Sequence, residues 1–496
     1  MAQASNDTSR QRRLKFMALF TLGLALFWPL FRHATFFMVL YPMQSASLPG
    51  NLSVAAHSLA LLCLAVLTFA GLLLHERLNR LVIRPSFSLI SGLLGSCAVV
   101  FAQGVTAGVL TPAFLWASAI LAACGIIGLY TSWAQQCCMT FNCTTVALIG
   151  LSFFLSYLLF SRGALLENCI GPNAMAFTMP LGSAVCCTML SLNATRCGLA
   201  NETYGHDDKP HSRQIISLPA LMIAAFLVMG AAVRGIVDVQ AVNTGARYPL
   251  SLVLAGLLSV ACFSYAWMTG LNKGTTPESV KLERFALECW MVLALVFLGG
   301  LFSFFVLDNQ IGGGDVVVIS RTMLEFVLWL LLCGMAHYRN LSAVWVSLTY
   351  GMTATVVSWF LSYVVIPNTV AFDGQGVLSP AAFVLVVIFA VVTAMLLCFG
   401  AYLIANSPTQ ANTANIGQQE AVGDSRSIKL VPNFNLALLT QREHDVAQLY
   451  TRGYSLGKVA DELGITKSTA QSHIKNVYRK LDIHSRDDLI ERMGNT

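Results

Sequence analysis

The residues best suited to chemistry lie in one short stretch near the end of the chain. Ser468, Gln471, Ser472 and Lys475 recur at spacings of three and four residues, and Arg479 continues the series. On an α-helix these spacings place the five side chains on one face. Amide and hydroxyl groups can hydrogen-bond base edges in the major groove of DNA, and cations can neutralise phosphates. The pattern therefore predicts a helix that reads duplex DNA.

The same helix has a separate apolar face, which must pack against other elements. Ala470, Ile474, Val477 and Leu481 recur at i, i+4, i+7 and i+11, and Thr466 is placed to cap the helix. By itself, this helix also fits an ordinary helical bundle with a solvated cationic face. The sequence on either side of this helix decides whether it reads DNA or belongs to an ordinary bundle.

Three more helical patterns surround this helix. Thr440 and Glu443 form a capping box for a first helix, Ser455 caps a second, and Ser485 with Asp488 opens a last one. Only a few residues separate the second pattern from the third, which is the spacing of a helix-turn-helix. We therefore predict four helices between residues 436 and 493.

This segment resembles the LuxR-type (GerE-like) helix-turn-helix family. The matching blocks are LTQRE at 439–443, GYS at 453–455, KVADELGIT at 458–466 and STAQSHIKNVYRKLDIHSRDDL at 468–489. The resemblance covers about 60 residues and implies a four-helix DNA-binding domain that reads with its third helix and dimerises through its fourth.

The resemblance also implies roles for single residues. Gln471, Ser472 and Lys475 would face bases. The residues implied to hold phosphates, together with the neighbouring cation Lys467, are Thr466, Ser468, Thr469, Arg479 and Lys480. Two positions depart from the family: Ala470 replaces the usual Val, and Gln471 stands where Lys or Arg is common. Because Gln pairs with adenine, we expect an operator that is less guanine-centred at that position.

The charge of this end of the chain is nearly balanced. Residues 406–496 hold eleven Lys and Arg against ten Asp and Glu, a net charge of +1. A weak net charge implies weak non-specific binding by one copy. We therefore expect a homodimer on DNA.

The rest of the chain has the composition of a membrane protein. Of 496 residues, 56% are hydrophobic and 11% are charged, whereas soluble domains carry about 25% charged residues. Hydropathy predicts twelve spans, each of about the 20 residues that cross roughly 30 Å of hydrocarbon. They are predicted at 14–32, 52–74, 86–108, 112–132, 143–160, 170–191, 215–236, 249–271, 285–307, 316–336, 343–366 and 381–404.

Basic residues indicate the orientation of these spans. Before residue 405, fourteen Lys and Arg fall on the side predicted to be cytoplasmic and five on the other side or the outer span ends. The positive-inside rule then places both termini in the cytoplasm, so we expect a multi-pass protein of the bacterial inner (cytoplasmic) membrane. No small-residue cleavage site follows the first apolar run, so we expect it to be a retained helix.

A polar loop at 192–214 divides the spans into six plus six, which resembles the major facilitator superfamily. That family has a sequence signature between spans two and three, and the residues around Gly71 and Arg77 match it only in part. His75 stands where the family usually has Asp, which argues against active transport.

The expected fold class is therefore all-α, with a twelve-helix transmembrane bundle and a C-terminal four-helix LuxR-type domain. The predicted organisation is a basic N-terminus at 1–13, a membrane domain at 14–404 with halves 14–191 and 215–404, a linker at 405–435 and a DNA-binding domain at 436–496. The linker is rich in Asn, Gln, Ser, Thr and Ala. As a flexible segment it would reach about 30 Å; the alternative is a partly helical connector.

Ionisable residues inside membrane spans are costly and mark candidate sites. Arg321 with Glu325, and Arg234 with Asp238, each lie four residues apart near the outer side. Either pair could bind a ligand in an outward-opening cavity, or could be an interfacial ion pair that reaches the headgroups.

No catalytic constellation is present in the sequence. It contains no Gly-rich phosphate loop, no HExxH and no receiver-like alternation of strands and helices. Cys137–Cys138 and Cys186–Cys187 are adjacent pairs rather than CxxC motifs, so we expect neither a metal site nor a redox site. We expect no enzyme activity and no cofactor, and any signal should enter through the spans.

The sequence favours a membrane-anchored one-component transcriptional regulator. Its expected partners are promoter DNA, the lipid bilayer, a second copy, an unknown small-molecule ligand and RNA polymerase. One alternative is a secondary transporter with a regulatory DNA-binding tail. Another is proteolytic release of the tail as a soluble factor.

Overall fold

The computed structural model describes thirteen stretches of the chain and Leu489. The stretches are 2–31, 36–41, 50–160, 169–196, 217–240, 247–271, 277–307, 310–339, 341–366, 380–405, 441–451, 455–463 and 466–481. The chain divides into two compact units, Met1–Ala414 and Asn415–Thr496. Every regular element in these stretches is helical, so the expected all-α class is confirmed.

In its described stretches, the first unit contains twelve helices that are long and apolar enough to cross a membrane. They are α1 Ala2–Phe27, α2 Gly50–Leu73, α3 Pro85–Thr106, α4 Ala113–Met139, α5 Cys143–Phe160, α6 Pro172–Arg196, α7 Leu218–Gln240, α8 Arg247–Leu271, α9 Glu278–Phe305, α10 Gln310–Tyr338, α11 Ala343–Val365 and α12 Pro380–Ala405. A 3-10 turn, Trp28–Phe31, follows α1 directly.

The twelve predicted spans correspond one to one to these helices. In the membrane-crossing parts of the helices, two ends differ by seven residues: α4 continues to Met139 instead of 132, and α9 begins at Glu278 instead of 285. Hydropathy falls where Gln135 and Gln136 enter α4, but both side chains are buried inside the bundle and the helix continues. A hydropathy window detects apolar stretches rather than the ends of helices.

Helix contacts repeat between the two halves with a shift of six helices. In the first half α3 packs on α4 and α6, and α1 packs on α5 and α6. In the second half α9 packs on α10 and α12, and α7 packs on α11 and α12. Between the halves, α2 contacts α11 and α5 contacts α8. These two contacts are equivalent, because exchanging each helix for its counterpart in the other half turns one pair into the other. The membrane unit therefore consists of two halves of six helices each, with equivalent helix contacts in the two halves.

Two equivalent helix pairs in the halves approach closely at glycine. A Cβ added at Gly125 of α4 would lie 2.7 Å from the backbone nitrogen of Gly95 in α3. A Cβ added at Gly313 of α10 would lie 2.7 Å from the carbonyl oxygen of Gly300 in α9. Small residues allow membrane helices to pack backbone to backbone.

The helices differ strongly in how much the bundle encloses them. In the most apolar window, 78% of α10 is buried but only 17% of α12. Thus α10 lies at the centre of the membrane unit and α12 at its periphery. Helix α11 contains two π-helical turns, Ser347–Met352 and Leu361–Val365, a distortion that is often found at functional sites.

The second unit contains α13 Gln441–Thr451, α14 Leu456–Leu463 and α15 Lys467–Leu481. Their buried core is Val446, Ala447, Val459, Ile474, Val477 and Leu489. The Oγ of Ser455 accepts a hydrogen bond from the Lys458 amide at 3.4 Å, so the predicted cap of α14 is confirmed. The side chains of the predicted capping box at 440–443 are not described. The predicted fourth helix lies outside the described residues, except for Leu489.

Candidate DNA-reading surface and intramembrane polar sites

The predicted apolar face of α15 is buried against α13 and α14. Ala470, Ile474 and Val477 are all buried, which confirms the prediction for these three positions; the side chain of Leu481 is not described. Thr466 Oγ1 accepts a hydrogen bond from the Thr469 amide at 3.2 Å, so the helix begins with the predicted cap. Packing therefore fixes the rotation of α15 about its axis.

The opposite face of α15 is exposed, and we call it the reading face. It brings together the exposed side chains Thr466, Ser468, Thr469, Gln471, Ser472 and Lys475. At 1.5 Å per residue, Ser468 to Lys475 extends about 10 Å along the helix, and a major groove about 12 Å wide admits an α-helix. The side chains of Lys467, Arg479 and Lys480 lie outside the described ones.

Hydrogen bonds within the reading face orient its hydroxyl groups. The Oγ1 of Thr466 lies 2.8 Å from the Oγ of Ser468 and 2.8 Å from the Oγ1 of Thr469. Ser472 donates its hydroxyl proton to the carbonyl oxygen of Ser468 at 3.0 Å. Its oxygen therefore presents acceptor lone pairs outward, suited to the amino group of adenine or cytosine.

The Arg321–Glu325 ion pair lies inside the membrane unit. Nη2 of Arg321 lies 2.8 Å from Oε1 of Glu325, and the side chains are 1% and 13% exposed. A guanidinium buried to this extent in the central helix α10 is enclosed by protein, which favours a site inside the bundle over an interfacial ion pair. By contrast, Arg284 and Glu288 in α9 form a 2.9 Å pair that is 30% and 50% exposed.

A cavity lies beside this ion pair, at the junction of the two halves. Its polar lining is Thr322, Glu325 and Thr355. The remaining lining is a set of aromatic rings, here called the aromatic cage: Phe27, Trp28, Phe31, Tyr130, Phe153, Phe326 and Trp329. The first five rings come from the first half and the last two from α10. The cavity volume is about 30 Å³, which is room for about two waters.

The cage was not predicted from the sequence, because aromatic residues within spans are typical of packing and lipid anchoring. One signal was available. Thr322, Glu325, Phe326 and Trp329 follow the spacing i, i+3, i+4 and i+7, so an acidic residue shares one helical face with two rings.

Arg234 has a partner in another helix of the membrane unit. This buried side chain in α7 is 7% exposed, and its Nη2 donates a hydrogen bond to the hydroxyl of Tyr363 in α11. The guanidinium also lies 5.1 Å from the centre of the Tyr363 ring. The side chain of Asp238 is not described, so the predicted Arg234–Asp238 pair stays a prediction. Sequence spacing could not reveal the contact with Tyr363, which is 129 positions away.

Within the described stretches, no group of three or more His, Cys, Asp or Glu side chains could hold a metal ion.

Comparison with known proteins gives a family match for the second unit. A profile of bacterial regulatory proteins of the luxR family matches residues 437–493. The HTH-type transcriptional regulator MalT of Cronobacter sakazakii (strain ATCC BAA-894) is 42% identical over 53 residues, which are 11% of this chain and 6% of that protein. The likeness thus covers a small part of that relative.

Two solved structures are similar to the membrane unit. A crystal structure of a bacterial homologue of the iron transporter ferroportin in its outward-facing state covers 78% of this chain and 99% of its own, with 11% identity and a TM-score of 0.47. A crystal structure of a bacterial homologue of the iron transporter ferroportin in its outward-facing state with soaked iron covers 78% of this chain and 98% of its own, with 12% identity and a TM-score of 0.47. The six-plus-six arrangement rests on the helix contacts above rather than on this likeness.

The C-terminal segment is therefore a LuxR-type helix-turn-helix domain. The chain is a multi-pass membrane protein whose C-terminal segment matches a domain of bacterial regulatory proteins of the luxR family.

Proposed function

We propose that this chain is a membrane-anchored one-component transcriptional regulator of a bacterial inner membrane, with both termini in the cytoplasm. The observation that carries the proposal is the presence of a LuxR-type domain with an exposed reading face on the same chain as twelve membrane helices. The protein acts by binding and catalyses no reaction.

The proposed signal is a small molecule that binds the membrane unit. A ligand shifts an equilibrium only by binding one state more tightly than another. The cavity beside Glu325 is lined by both halves, so a ligand there would favour one arrangement of the halves. That arrangement would change how two DNA-binding domains meet as a homodimer on promoter DNA and how they contact RNA polymerase.

DNA binding by the intact chain tests this proposal. Promoter sites are first mapped in cells, and the full chain is then footprinted on one such site in inside-out membrane vesicles. We expect protection of two half-sites by the wild type and loss of protection by the double variant Gln471→Ala, Lys475→Ala. Equal footprints for the wild type and the double variant would contradict the role of the reading face.

Sensing by the membrane unit is tested by footprinting the same promoter site with the full chain and with residues 406–496 alone. The proposal expects that a small molecule changes protection by the full chain but not by residues 406–496 alone. Indifference of the full chain to every candidate ligand and to removal of the spans would overturn the sensing step.

A secondary transporter with a regulatory tail is the second candidate, which the six-plus-six arrangement of the membrane unit favours. Uptake or efflux by vesicles, with and without residues 406–496, separates the two. A transporter accumulates or exports substrate after truncation, whereas a receptor does neither at any stage.

A further inference from the structure

The cavity beside Glu325 has an unusual combination of charge and aromatic surface. Glu325 is the one charged side chain among those that line it in the described part of the chain. Arg321, its ion-pair partner, is 1% exposed and does not line the cavity. A molecule in the cavity therefore meets the carboxylate and not the guanidinium.

The geometry of the pair leaves part of the carboxylate available. Arg321 approaches Oε1 at 2.8 Å, and a carboxylate has a second oxygen that accepts further contacts. The Glu325 side chain remains 13% exposed. Arg321 thus holds the Glu325 side chain in place while its other oxygen can face an occupant.

Like the Glu325 carboxylate, the aromatic cage favours a positively charged occupant. The faces of Trp, Tyr and Phe rings carry negative potential and attract cations, most strongly where water is excluded. Neighbouring rings of the cage are close: Trp28 and Trp329 centroids lie 4.9 Å apart and Phe153 and Phe326 centroids 4.3 Å apart. An anion would be repelled by both the rings and the carboxylate.

We infer that this cavity, formed by Glu325 and the aromatic cage, binds a compact organic ammonium cation. The inference deepens the proposed function, on which it rests, by naming the ligand class of the membrane unit. The ammonium group would contact ring faces and the carboxylate of Glu325.

The size of the cavity links binding to the arrangement of the halves. Its volume of about 30 Å³ has room for about two waters and is far below the roughly 150 Å³ of an apolar cavity that binds benzene, so it must widen to admit a trimethylammonium group. Rings from α1, α4 and α5 in one half must therefore separate from Phe326 and Trp329 of α10 when the cation enters. Occupied and empty states differ at the interface between the halves.

Equilibrium binding to the full chain in lipid nanodiscs tests the inference. The probe is radiolabelled choline, with tetramethylammonium and tetraethylammonium as competitors and 3,3-dimethylbutan-1-ol, the neutral carbon analogue of choline, as control. We expect saturable choline binding that both ammonium ions displace and the alcohol does not. Absence of saturable binding by all three cations at millimolar concentration would overturn the inference, as would equal competition by the alcohol.

Variants then locate the site. Glu325→Gln should weaken choline binding about ten- to thirtyfold, the loss expected for a desolvated cation contact. Glu288→Gln is the matched control, because Glu288 also pairs with an arginine four residues away but is half-exposed and outside the cavity. Equal effects of the two substitutions would overturn the assignment.

A second variant excludes misfolding as the cause. Phe326→Leu removes a ring of the cage and keeps the Arg321–Glu325 pair, and we expect weaker choline binding with an unchanged elution volume in gel filtration. Unchanged choline affinity in Phe326→Leu would contradict a role for the cage. If no ammonium ion binds but the full chain still protects promoter DNA, the ligand class is wrong and the proposed function stands; loss of DNA binding contradicts the proposed function itself.

Discussion

Gln471→Ala is expected to weaken DNA binding and to relax base preference at one position of the operator. Gln471 lies on the exposed reading face, while its neighbour Ala470 is buried in the domain core. The substitution therefore removes an amide donor and acceptor without changing a packed side chain. A bidentate contact between a Gln amide and adenine contributes about 1 to 3 kcal/mol of discrimination. The expected loss is roughly 5- to 140-fold in affinity for each subunit that makes the contact.

A gel-shift titration measures this loss with the full chain in nanodiscs, on a mapped operator and on versions with one base pair exchanged. The wild type should discriminate against exchange of one A·T pair in each half-site, and Gln471→Ala should not. Gln448→Ala is the matched control, because Gln448 is an exposed glutamine on α13 and not on α15. If both variants bind with the affinity and base preference of the wild type, α15 is not the helix that reads DNA.

Four further outcomes are expected. Lys475→Ala should weaken binding to the mapped operator by about 1 to 3 kcal/mol in the same titration; unchanged affinity would exclude Lys475 from the DNA interface. Ile474→Ala should lower the free energy of unfolding of the C-terminal domain by about 2 to 5 kcal/mol, because it leaves a cavity in the core; chemical denaturation followed by circular dichroism measures it, and a loss below that range would mean a loosely packed core. Arg321→Leu should destabilise the membrane unit by about 3 to 5 kcal/mol because it leaves Glu325 buried without its ion-pair partner. The double variant Arg321→Leu, Glu325→Leu should recover part of that loss in a thermal unfolding assay, and no recovery would contradict the pairing. Gly125→Val should lower the melting temperature, since its Cβ would lie 2.7 Å from the backbone nitrogen of Gly95 and overpacking costs about 1 to 3 kcal/mol; a melting temperature equal to that of the wild type would contradict the close packing of α3 on α4.

The amphipathic pattern of α15 was predictable from the sequence because both faces of one helix follow the same local period. Ala470, Ile474 and Val477 are buried and Gln471, Ser472 and Lys475 are exposed, as the spacing predicts. The twelve spans were predictable for a related reason: hydrocarbon thickness sets their length and apolar composition marks their position.

The depth of the intramembrane sites was not predictable in this way. A spacing of four residues brings Arg321 close to Glu325 on any helix, but burial depends on what surrounds α10. Its neighbours come from distant parts of the chain, such as Tyr130 and Phe153 beside the cavity. The Tyr363 partner of Arg234 depends in the same way on the packing of α7 against α11.

The central claim is that the C-terminal domain binds duplex DNA while its own chain stays in the membrane. Crosslinking in cells, isolation of the membrane fraction and immunoprecipitation through the C-terminal domain test it directly. The account predicts that promoter DNA is recovered with the full 496-residue chain and is lost with the double variant Gln471→Ala, Lys475→Ala. Recovery of promoter DNA only with a soluble C-terminal fragment, or with neither species, would contradict it.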